Sequence, residues 1–239
     1  MIEPSRSFDR AAIEYEQARP GYPEGVLDLL PLGPHAEVLD LGAGTGKLTR
    51  LLAGRFERVI AVEPLDGMRG ILAAVVPAAE ALAGSAESIP LTGASVDAVF
   101  AAQSFHWFAN DEAVAEIARV LRPGGILCPI WNEFVDPSPL PEAYRAYLRT
   151  LHLPQFEASG HPWAEVMARG PFGEIHEASV PHEYVQQRKN VLAFAQSVSW
   201  IAHRPDEERK RIMRHLDELL PAGPFMFRMR TDVNWAVRA

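Results

Sequence analysis

Hydrophobic positions in the first half of the chain fall into short apolar runs separated by helical spacings. Short, mainly apolar segments that fit buried strands cover residues 37–39, 59–62, 80–83, 95–101 and 126–131. Between them, apolar residues recur at the spacing of one helix face, first at Leu48, Leu51 and Leu52. Strand, turn and helix therefore follow one another in order, which is typical of an α/β protein.

The second half is predicted to begin after a proline-rich boundary at residues 135–141. Four residues at i, i+3, i+4 and i+7 predict an amphipathic helix there: Tyr144, Tyr147, Leu148 and Leu151. The two tyrosines either line a substrate wall or belong to the core, and the spacing alone favours the core. A strand follows at 175–185, helices at 191–198 and from 206, and an alternating strand at 225–237. We expect this last strand to cover an edge of the sheet.

The composition fits one domain with an appended subdomain, since 48% of the 239 residues are hydrophobic. A net charge of −8 disfavours a sequence-independent grip on nucleic acid, which requires clustered Lys and Arg. The single cysteine, Cys128, lies in an apolar strand pattern and fits a reducing compartment. No apolar run is long enough to cross a bilayer. We expect a cytoplasmic monomer or homodimer that binds neither nucleic acid nor membrane.

A glycine-rich segment at residues 40–46 follows the first strand and has the pattern D-x-G-x-G-x-G. Glycine tolerates positive φ and has no Cβ, so alternating glycines let the backbone turn sharply and approach a bound molecule. The segment is not a P-loop, because Gly46-Lys47 is followed by Leu48 rather than by Ser or Thr. The dinucleotide fingerprint would need a glycine at Lys47, so the third glycine comes one residue early.

The pattern at 40–46 resembles motif I of the class I methyltransferases that bind S-adenosylmethionine (SAM), and further segments match the family in order. Glu63 ends the second strand, a polar loop follows at 84–91, and residues 119–125 spell R-V-L-R-P-G-G. The resemblance covers residues 8–131 and extends to the methyltransferase type 11 group. It implies an α/β, Rossmann-like fold with a seven-stranded, mostly parallel sheet, helices on both faces, and an antiparallel last strand.

The N-terminal stretch resembles the opening of the trans-aconitate methyltransferase-like subfamily, F-D-x-x-A-x-x-Y-x-x-x-R-P-x-Y-P. In that subfamily the segment closes over SAM, which makes Tyr15 and Arg19 candidates to contact the methionine end of the cofactor. A guanidinium fork suits the carboxylate found there. The alternative is a helix pinned by Phe8 and Tyr15 that leaves Arg19 merely exposed.

The resemblance also assigns roles to residues near the expected strand ends. The predicted cofactor-binding residues are Tyr15, Arg19, Asp40, Gly42, Ala43, Gly44, Glu63, Pro64, Met68, Ser85, Ala86, Glu87, Gln103 and Phe105. Glu63 would accept hydrogen bonds from both ribose hydroxyls. The loop with Ser85 would meet the adenine edge, although many members carry Asp at that position. Gln103 and Phe105 would border the methionine portion.

The predicted catalytic residues are His106 and Trp107, which belong to a Q-S-F-H-W-F string that also resembles the subfamily. His106 could accept a proton from a hydroxyl or amine acceptor, whereas a carboxylate acceptor needs no base. Alternatively, His106 binds a backbone carbonyl and Trp107 packs under the helix that begins near residue 110. His161 and His203 have no acidic or cysteine companion at ligand spacing, so we expect no metal.

The sequence therefore predicts a SAM-dependent methyltransferase that acts on a small molecule, such as an organic acid or a secondary metabolite, and releases S-adenosylhomocysteine. A SAM-binding sensor or scaffold without catalysis is the main alternative, and a methyltransferase of macromolecules is disfavoured by the acidity. The predicted parts are a helical cap at 1–34, a SAM-binding core at 35–135 and substrate-side helices with the last strands at 136–239.

Overall fold

The computed structural model describes residue 16 and residues 18–152 and 163–239. Its first half comprises a 3-10 helix at Glu24–Leu29, β1 at Glu37–Leu41, α1 at Lys47–Arg55, β2 at Arg58–Val62, α2 at Asp66–Val75, β3 at Glu80–Leu82, β4 at Val96–Ala102, α3 at Phe105–Phe108, α4 at Asp111–Val120 and β5 at Leu121–Val135. Its second half comprises α5 at Glu142–Leu151, α6 at Trp163–Arg169, β6 at His176–Gln186, α7 at Arg188–Ser197, α8 at Ser199–Ala202, α9 at Asp206–Leu219 and β7 at Phe225–Val237.

The strands form one seven-stranded sheet in the order β3-β2-β1-β4-β5-β7-β6. The first five are parallel neighbours, with Leu39 of β1 opposite both Ile60 of β2 and Val99 of β4. The predicted α/β fold with a mostly parallel sheet is confirmed. It places the carboxyl ends of β1, β2 and β4 at one edge, where ligands bind in open α/β sheets.

The last strand is antiparallel to β5, as the resemblance implied. The N–H of Arg238 binds the carbonyl of Gly125, while the hydroxyl of Thr231 binds the side chain of Asn132, so the two chains run in opposite directions. The prediction that this strand covers an edge is wrong, because β7 lies between β5 and β6 and the edge strand is β6. Alternation of polar and apolar residues along a strand indicates which residues face each side of the sheet. It does not indicate which strands lie beside that strand.

Alternate residues of the central strands are buried on opposite faces of the sheet. Leu39 and Val99 pack with Ile117 of α4 on one face, whereas Val38 and Phe100 pack with Leu52 of α1 on the other. Both faces are therefore covered by helices, which explains why these strands are continuous apolar runs.

At the junction between α4 and β5, the helical spacing of Val114, Ile117 and Leu121 continues one residue past the end of the helix. The helix ends at Val120, and Leu121 is already extended and pairs with Val96 of β4. Pro123 disfavours helical backbone for Arg122 before it and lacks the N–H that a continuing helix requires, so the helix ends earlier than the apolar spacing implies.

The described residues form two compact units. The first, called unit one, takes those within 1–20, 134–157 and 181–229, and the second, called unit two, those within 21–133, 158–180 and 230–239. Each unit combines separated stretches of chain. The three consecutive parts predicted from the sequence stay a prediction. In unit one, Tyr144 of α5 is 1% exposed and packs with Val191 and Leu216, so it is a core residue. Among residues 18–152 and 163–239, no helix has the length and apolar character that a membrane crossing requires.

Candidate active site

The glycine-rich loop leaves β1 and turns immediately beside the end of β2. Gly42, Gly44 and Gly46 have φ values of 67°, 57° and 88°, a region that side chains rarely adopt. The N–H of Gly42 binds the carbonyl of Val62 at 2.9 Å. A Cβ on Gly42 would lie 2.8 Å from Cβ of Ser104, so this position requires glycine for space as well as for conformation.

Asp40, at the end of β1, is a buried carboxylate with one unsatisfied oxygen. Its side chain is 1% exposed, and Thr49 Oγ1 of α1 donates to its Oδ2 at 2.6 Å. Its Oδ1 is buried and has no hydrogen-bond partner. Burial raises the pKa of Asp40 to about 7; the Thr49 hydrogen bond opposes this rise and the nearby charge of Glu63 adds to it. A buried acceptor without a partner is costly, so this oxygen is suited to a donor from a ligand.

Glu63 follows β2 and joins the glycine loop to the segment that leads into α2. Its Oε2 accepts the N–H of Gly44 at 2.8 Å, and its Oε1 accepts the N–H of Leu65 at 2.9 Å. The residue is only 4% exposed. A carboxylate has about four lone-pair positions, so each of its oxygens can accept more than one hydrogen bond. The predicted contact with the ribose remains a prediction.

Pro64 and Met68 flank this segment. Pro64 is exposed, whereas Met68 is 4% exposed and its Sδ lies 3.8 Å from where a Cβ on Gly44 would stand. Ala43, in the loop itself, is 9% exposed and packs with Ala61 and Leu72. Of these residues, Met68 therefore lies beside the glycine loop and Ala43 is part of it.

The loop that was predicted to meet adenine follows β3. Ser85 and Ser88 form an isolated bridge that closes a turn, and Ala86 points into the core with 4% exposure. Glu87 is exposed, and its Oε1 accepts a hydrogen bond from Nδ2 of Asn110 at 3.0 Å. The backbone of this turn and the half-buried Ser85 are thus the parts that remain available to a ligand.

Gln103 follows β4 with a φ of 53°, which is uncommon for a residue with a side chain. Its N–H binds the carbonyl of Ile130 and its Nε2 binds the carbonyl of Asn132, both at 2.9 Å. The next residue, Ser104, donates from Oγ to the carbonyl of Leu41 at 2.9 Å. Strained backbone held by several hydrogen bonds is concentrated at functional sites, and here it connects the end of β4 to the glycine loop.

The aromatic string after Gln103 divides between the core and the surface. Phe105 is 0% exposed and contacts the rings of Phe108 and Trp163, so its contacts are those of a core residue. The rings of His106 and Trp107 lie 4.9 Å apart. Trp107 is 39% exposed, which does not fit the alternative that it packs under the following helix.

A cavity of about 790 Å³ opens beside this string, and all its lining residues belong to unit two. The side nearest the glycine loop and β5 is formed by Gln103, His106, Trp131, Glu133 and Trp163. The side formed by β6 and β7 contributes Glu177, Ala178, Ser179, Arg230, Asp232 and Asn234. The cavity is thus bounded by the end of β4, one face of β5, β7 and β6, and the start of α6.

The charges in this cavity are predominantly acidic. Arg230 forms a fork with Asp232, from Nε to Oδ1 at 2.6 Å and from Nη2 to Oδ2 at 2.8 Å, and Ser179 also donates to Asp232. Burial raises the pKa of Glu133, and the neighbouring charge of Asp232 adds to the rise, which Arg230 partly opposes. The carboxyl groups of Glu133 and Glu177 line the cavity outside the Arg230–Asp232 pair.

Two further predicted cofactor ligands are Tyr15 and Arg19. Arg19 belongs to unit one, where its guanidinium carbon lies 4.5 Å above the ring of Phe194. Tyr15 and His161 lie outside the described residues. The roles of Tyr15 and Arg19 remain predictions.

Most of the cavity residues were not identified from the sequence. Arg230, Asp232 and Asn234 share one face of β7, a strand that lies inside the sheet. The signal was present, since three polar residues at alternate positions of one strand indicate a face that is not packed against apolar side chains. These residues could be assigned to a cavity only once β7 was known to lie inside the sheet, and the sequence pattern does not reveal that position. Within residues 18–152 and 163–239, no cluster of three or more His, Cys, Asp or Glu side chains could hold a metal ion.

The chain is similar to known proteins in sequence and in fold. A family model described as a methyltransferase domain matches residues 39–128. A methyltransferase-like protein of Schizosaccharomyces pombe, itself uncharacterized, is 35% identical over 224 residues, which cover 92% of this chain and 88% of that protein. The malonyl-[acyl-carrier protein] O-methyltransferase of Methylococcus capsulatus is 33% identical over 177 residues, 69% of this chain and 64% of that one. A solved protein of Anaeromyxobacter dehalogenans, assigned provisionally to the type II methyltransferases, superposes with a TM-score of 0.61 at 25% identity over 92% of this chain and 97% of that one.

Proposed function

This chain belongs to the class I SAM-dependent methyltransferases, and from that premise we propose that it methylates a small molecule bound in the cavity beside His106. The observation that carries the proposal is the position of Ser104. It contacts the glycine loop through Gly42 and Leu41, and its neighbours on the string, Gln103 and His106, line the cavity. A cofactor bound at the loop and an acceptor bound in the cavity would therefore be held by one continuous segment.

The residues of the loop fit SAM in charge and in shape. SAM carries an ammonium group and a sulfonium, and Asp40 and Glu63 place two buried carboxylates at the loop. The unpartnered Oδ1 of Asp40 is a suitable acceptor for the ammonium group. Gly44 leaves open space on one side, because a Cβ there would meet nothing nearer than Met68 Sδ at 3.8 Å. Asp40, Gly42, Gly44, Glu63 and Met68 are the residues we expect to hold the cofactor.

SAM supplies an electrophilic methyl group: a lone pair of the acceptor bonds to the methyl carbon, the carbon–sulfur bond breaks, and its electron pair stays on sulfur. The protein need only hold the acceptor in line and exclude water. Such positioning contributes up to roughly 7–11 kcal/mol in well-oriented reactions. The strained, doubly hydrogen-bonded Gln103 gives this segment the rigidity that positioning requires.

We assign His106 the role of proton acceptor for a hydroxyl or amine acceptor. Its ring lines the cavity, and imidazole is the side chain whose ordinary pKa lies nearest neutrality. As the methyl group is transferred, the proton on the acceptor atom would pass to this ring and then to solvent. The indole of Trp107 lies beside the imidazole, with ring centroids 4.9 Å apart and planes inclined by 44°, and restricts the orientations of the ring.

The proposal is tested by incubating the purified chain with SAM and fractionated metabolite extracts and by measuring S-adenosylhomocysteine by mass spectrometry. At least one fraction is expected to raise the yield above that of SAM alone, and a matched methylated product should appear in the same fraction. The variant Gly42→Ala is the negative control, because it obstructs the loop. If no fraction yields product while SAM binds normally, the proposed catalysis is refuted and a sensor or scaffold role is favoured.

A further inference from the structure

We propose that the methyl acceptor carries a cationic amine, and that its charged group binds between Glu133, Glu177 and the indoles of Trp131 and Trp163. This inference rests on the proposed function, because it names the substrate class of the same cavity.

The charges that line the cavity favour a cation. Three carboxylates, of Glu133, Glu177 and Asp232, face a single guanidinium, that of Arg230. Asp232 and Arg230 neutralise each other through two hydrogen bonds, and Ser179 occupies Asp232 further. Within residues 18–152 and 163–239, Glu133 and Glu177 form no ion pair, so two carboxyl groups remain for a ligand. An anionic acceptor would meet both of them, which disfavours a simple organic acid.

The second and independent observation concerns Asn234, a polar side chain of the cavity wall. Asn234 of β7 is 7% exposed and lines the cavity, and its side chain has no hydrogen-bond partner among residues 18–152 and 163–239. Its amide atoms do not belong to the fully buried side-chain atoms that lack a partner, so they reach the open space of the cavity and are available to a ligand. Its carbonyl oxygen is an acceptor for an ammonium N–H, and its NH₂ group is a donor for a second polar group on the same molecule.

The aromatic residues supply the remaining component of amine recognition. The rings of Trp131 and Trp163 lie with centroids 4.6 Å apart and planes inclined by 37°, and both line the cavity. Trp offers the most favourable ring face for a cation, and the attraction increases when the cation is desolvated. Carboxylates and indole faces together therefore select an ammonium group over a neutral group of the same shape.

The experiment compares three probes of one shape in the presence of saturating S-adenosylhomocysteine. Choline is the cation, 3,3-dimethylbutan-1-ol is its uncharged isostere, and 3,3-dimethylbutanoate is the anion. Dissociation constants are measured by ligand-observed NMR on the full chain, with chloride held constant by sodium chloride. Binding of S-adenosylhomocysteine is measured first by calorimetry, so that failure of the cofactor site is recorded separately.

Choline is expected to bind at least about fivefold more tightly than its uncharged isostere. The reason is that its charge would form an exposed ion pair with a carboxylate and a cation–π contact with an indole. The double variant Glu133→Gln/Glu177→Gln should lose this preference. The variant Glu112→Gln, which removes an exposed carboxylate of α4 outside the cavity lining, should keep it.

The inference is overturned if the three probes bind equally, if the anion binds best, if choline does not bind, or if the double variant keeps the preference. In each of these cases, binding of S-adenosylhomocysteine in the calorimeter would show that the cofactor site is intact, so the proposed function would not be refuted. Absence of that heat would instead remove the cofactor site, and with it both proposals.

Discussion

Thr49 Oγ1 donates a 2.6 Å hydrogen bond to one oxygen of Asp40, and the other oxygen of the same carboxylate is buried without a partner. Half of the carboxylate is thus satisfied by the fold and half is not. This asymmetry explains why the pKa of Asp40 is raised to about 7 by burial despite the Thr49 hydrogen bond. It also makes the stability of the ligand-free protein depend on pH in a definite direction.

The first prediction concerns that pH dependence. Below pH 3.8, the ordinary pKa of Asp, the carboxyl is protonated in both the folded and the unfolded chain and contributes nothing. Between pH 3.8 and about 7 the unfolded chain releases its proton first, so the contribution of Asp40 to the free energy of unfolding falls as pH rises. The fall is at most about 1.4 kcal/mol per pH unit. Urea denaturation from pH 5 to 8 should show a steeper decline for the natural chain than for Asp40→Asn. Identical pH profiles for the two proteins would refute the raised pKa.

The second prediction concerns the coupling between Asp40 and Glu63. The charge of Glu63 raises the pKa of Asp40, so Glu63→Gln should move the pH dependence assigned to Asp40 toward lower pH. The same variant replaces an oxygen that accepts a backbone N–H with an amide donor, at Gly44 or at Leu65. We expect a loss of about 1–3 kcal/mol in the free energy of unfolding. The reference is Glu112→Gln, which removes an exposed carboxylate, and an unchanged pH midpoint in Glu63→Gln would contradict the coupling.

The strands of the first half and the glycine loop could be predicted from the sequence because both are encoded locally, whereas the place of β7 in the sheet could not. Continuous apolar runs reveal strands buried on two faces, and alternating glycines at 42, 44 and 46 reveal a backbone that needs positive φ. The cavity could be predicted only in part. His106 and Gln103 belong to one short string, but Glu133, Trp163 and Asn234 come from three distant segments that only the sheet order brings together.

The cofactor-binding roles predicted for two apolar residues stay predictions. Phe105 and Ala86 stand in segments that resemble cofactor-binding segments of the family, yet the structure buries both side chains in the core. A spacing argument predicts that an apolar residue is buried and cannot distinguish a ligand wall from a neighbouring helix. The partners of those side chains are determined by packing between elements.

The third prediction separates two glycines. Gly42→Ala should destabilise the chain by about 1–3 kcal/mol and abolish SAM binding, because its Cβ would overlap Ser104 and its φ is 67°. Gly54→Ala, in α1 where a Cβ meets nothing within 4 Å, should be neutral or stabilising by up to about 1 kcal/mol. Chemical denaturation of both variants checks this prediction. Equal destabilisation would show that the loop is not the constrained element.

The fourth prediction concerns His106. If the ring removes a proton from the acceptor, His106→Gln should lower kcat by about 10²- to 10⁴-fold and leave SAM affinity unchanged. S-adenosylhomocysteine formation with the acceptor found by screening gives the rate, and calorimetry gives the affinity. A variant with full turnover would leave His106 only a positioning role.

The central claim is that the glycine loop, Asp40 and Glu63 form a site for SAM, and titration calorimetry tests it most directly. Titration of SAM and of S-adenosylhomocysteine into the purified chain at pH 7.5 should release heat that fits one site per chain. For SAM, the affinity should increase between pH 5.5 and 7.5 as Asp40 ionises, and this increase should disappear in Asp40→Asn. Absence of heat with both compounds would contradict the account.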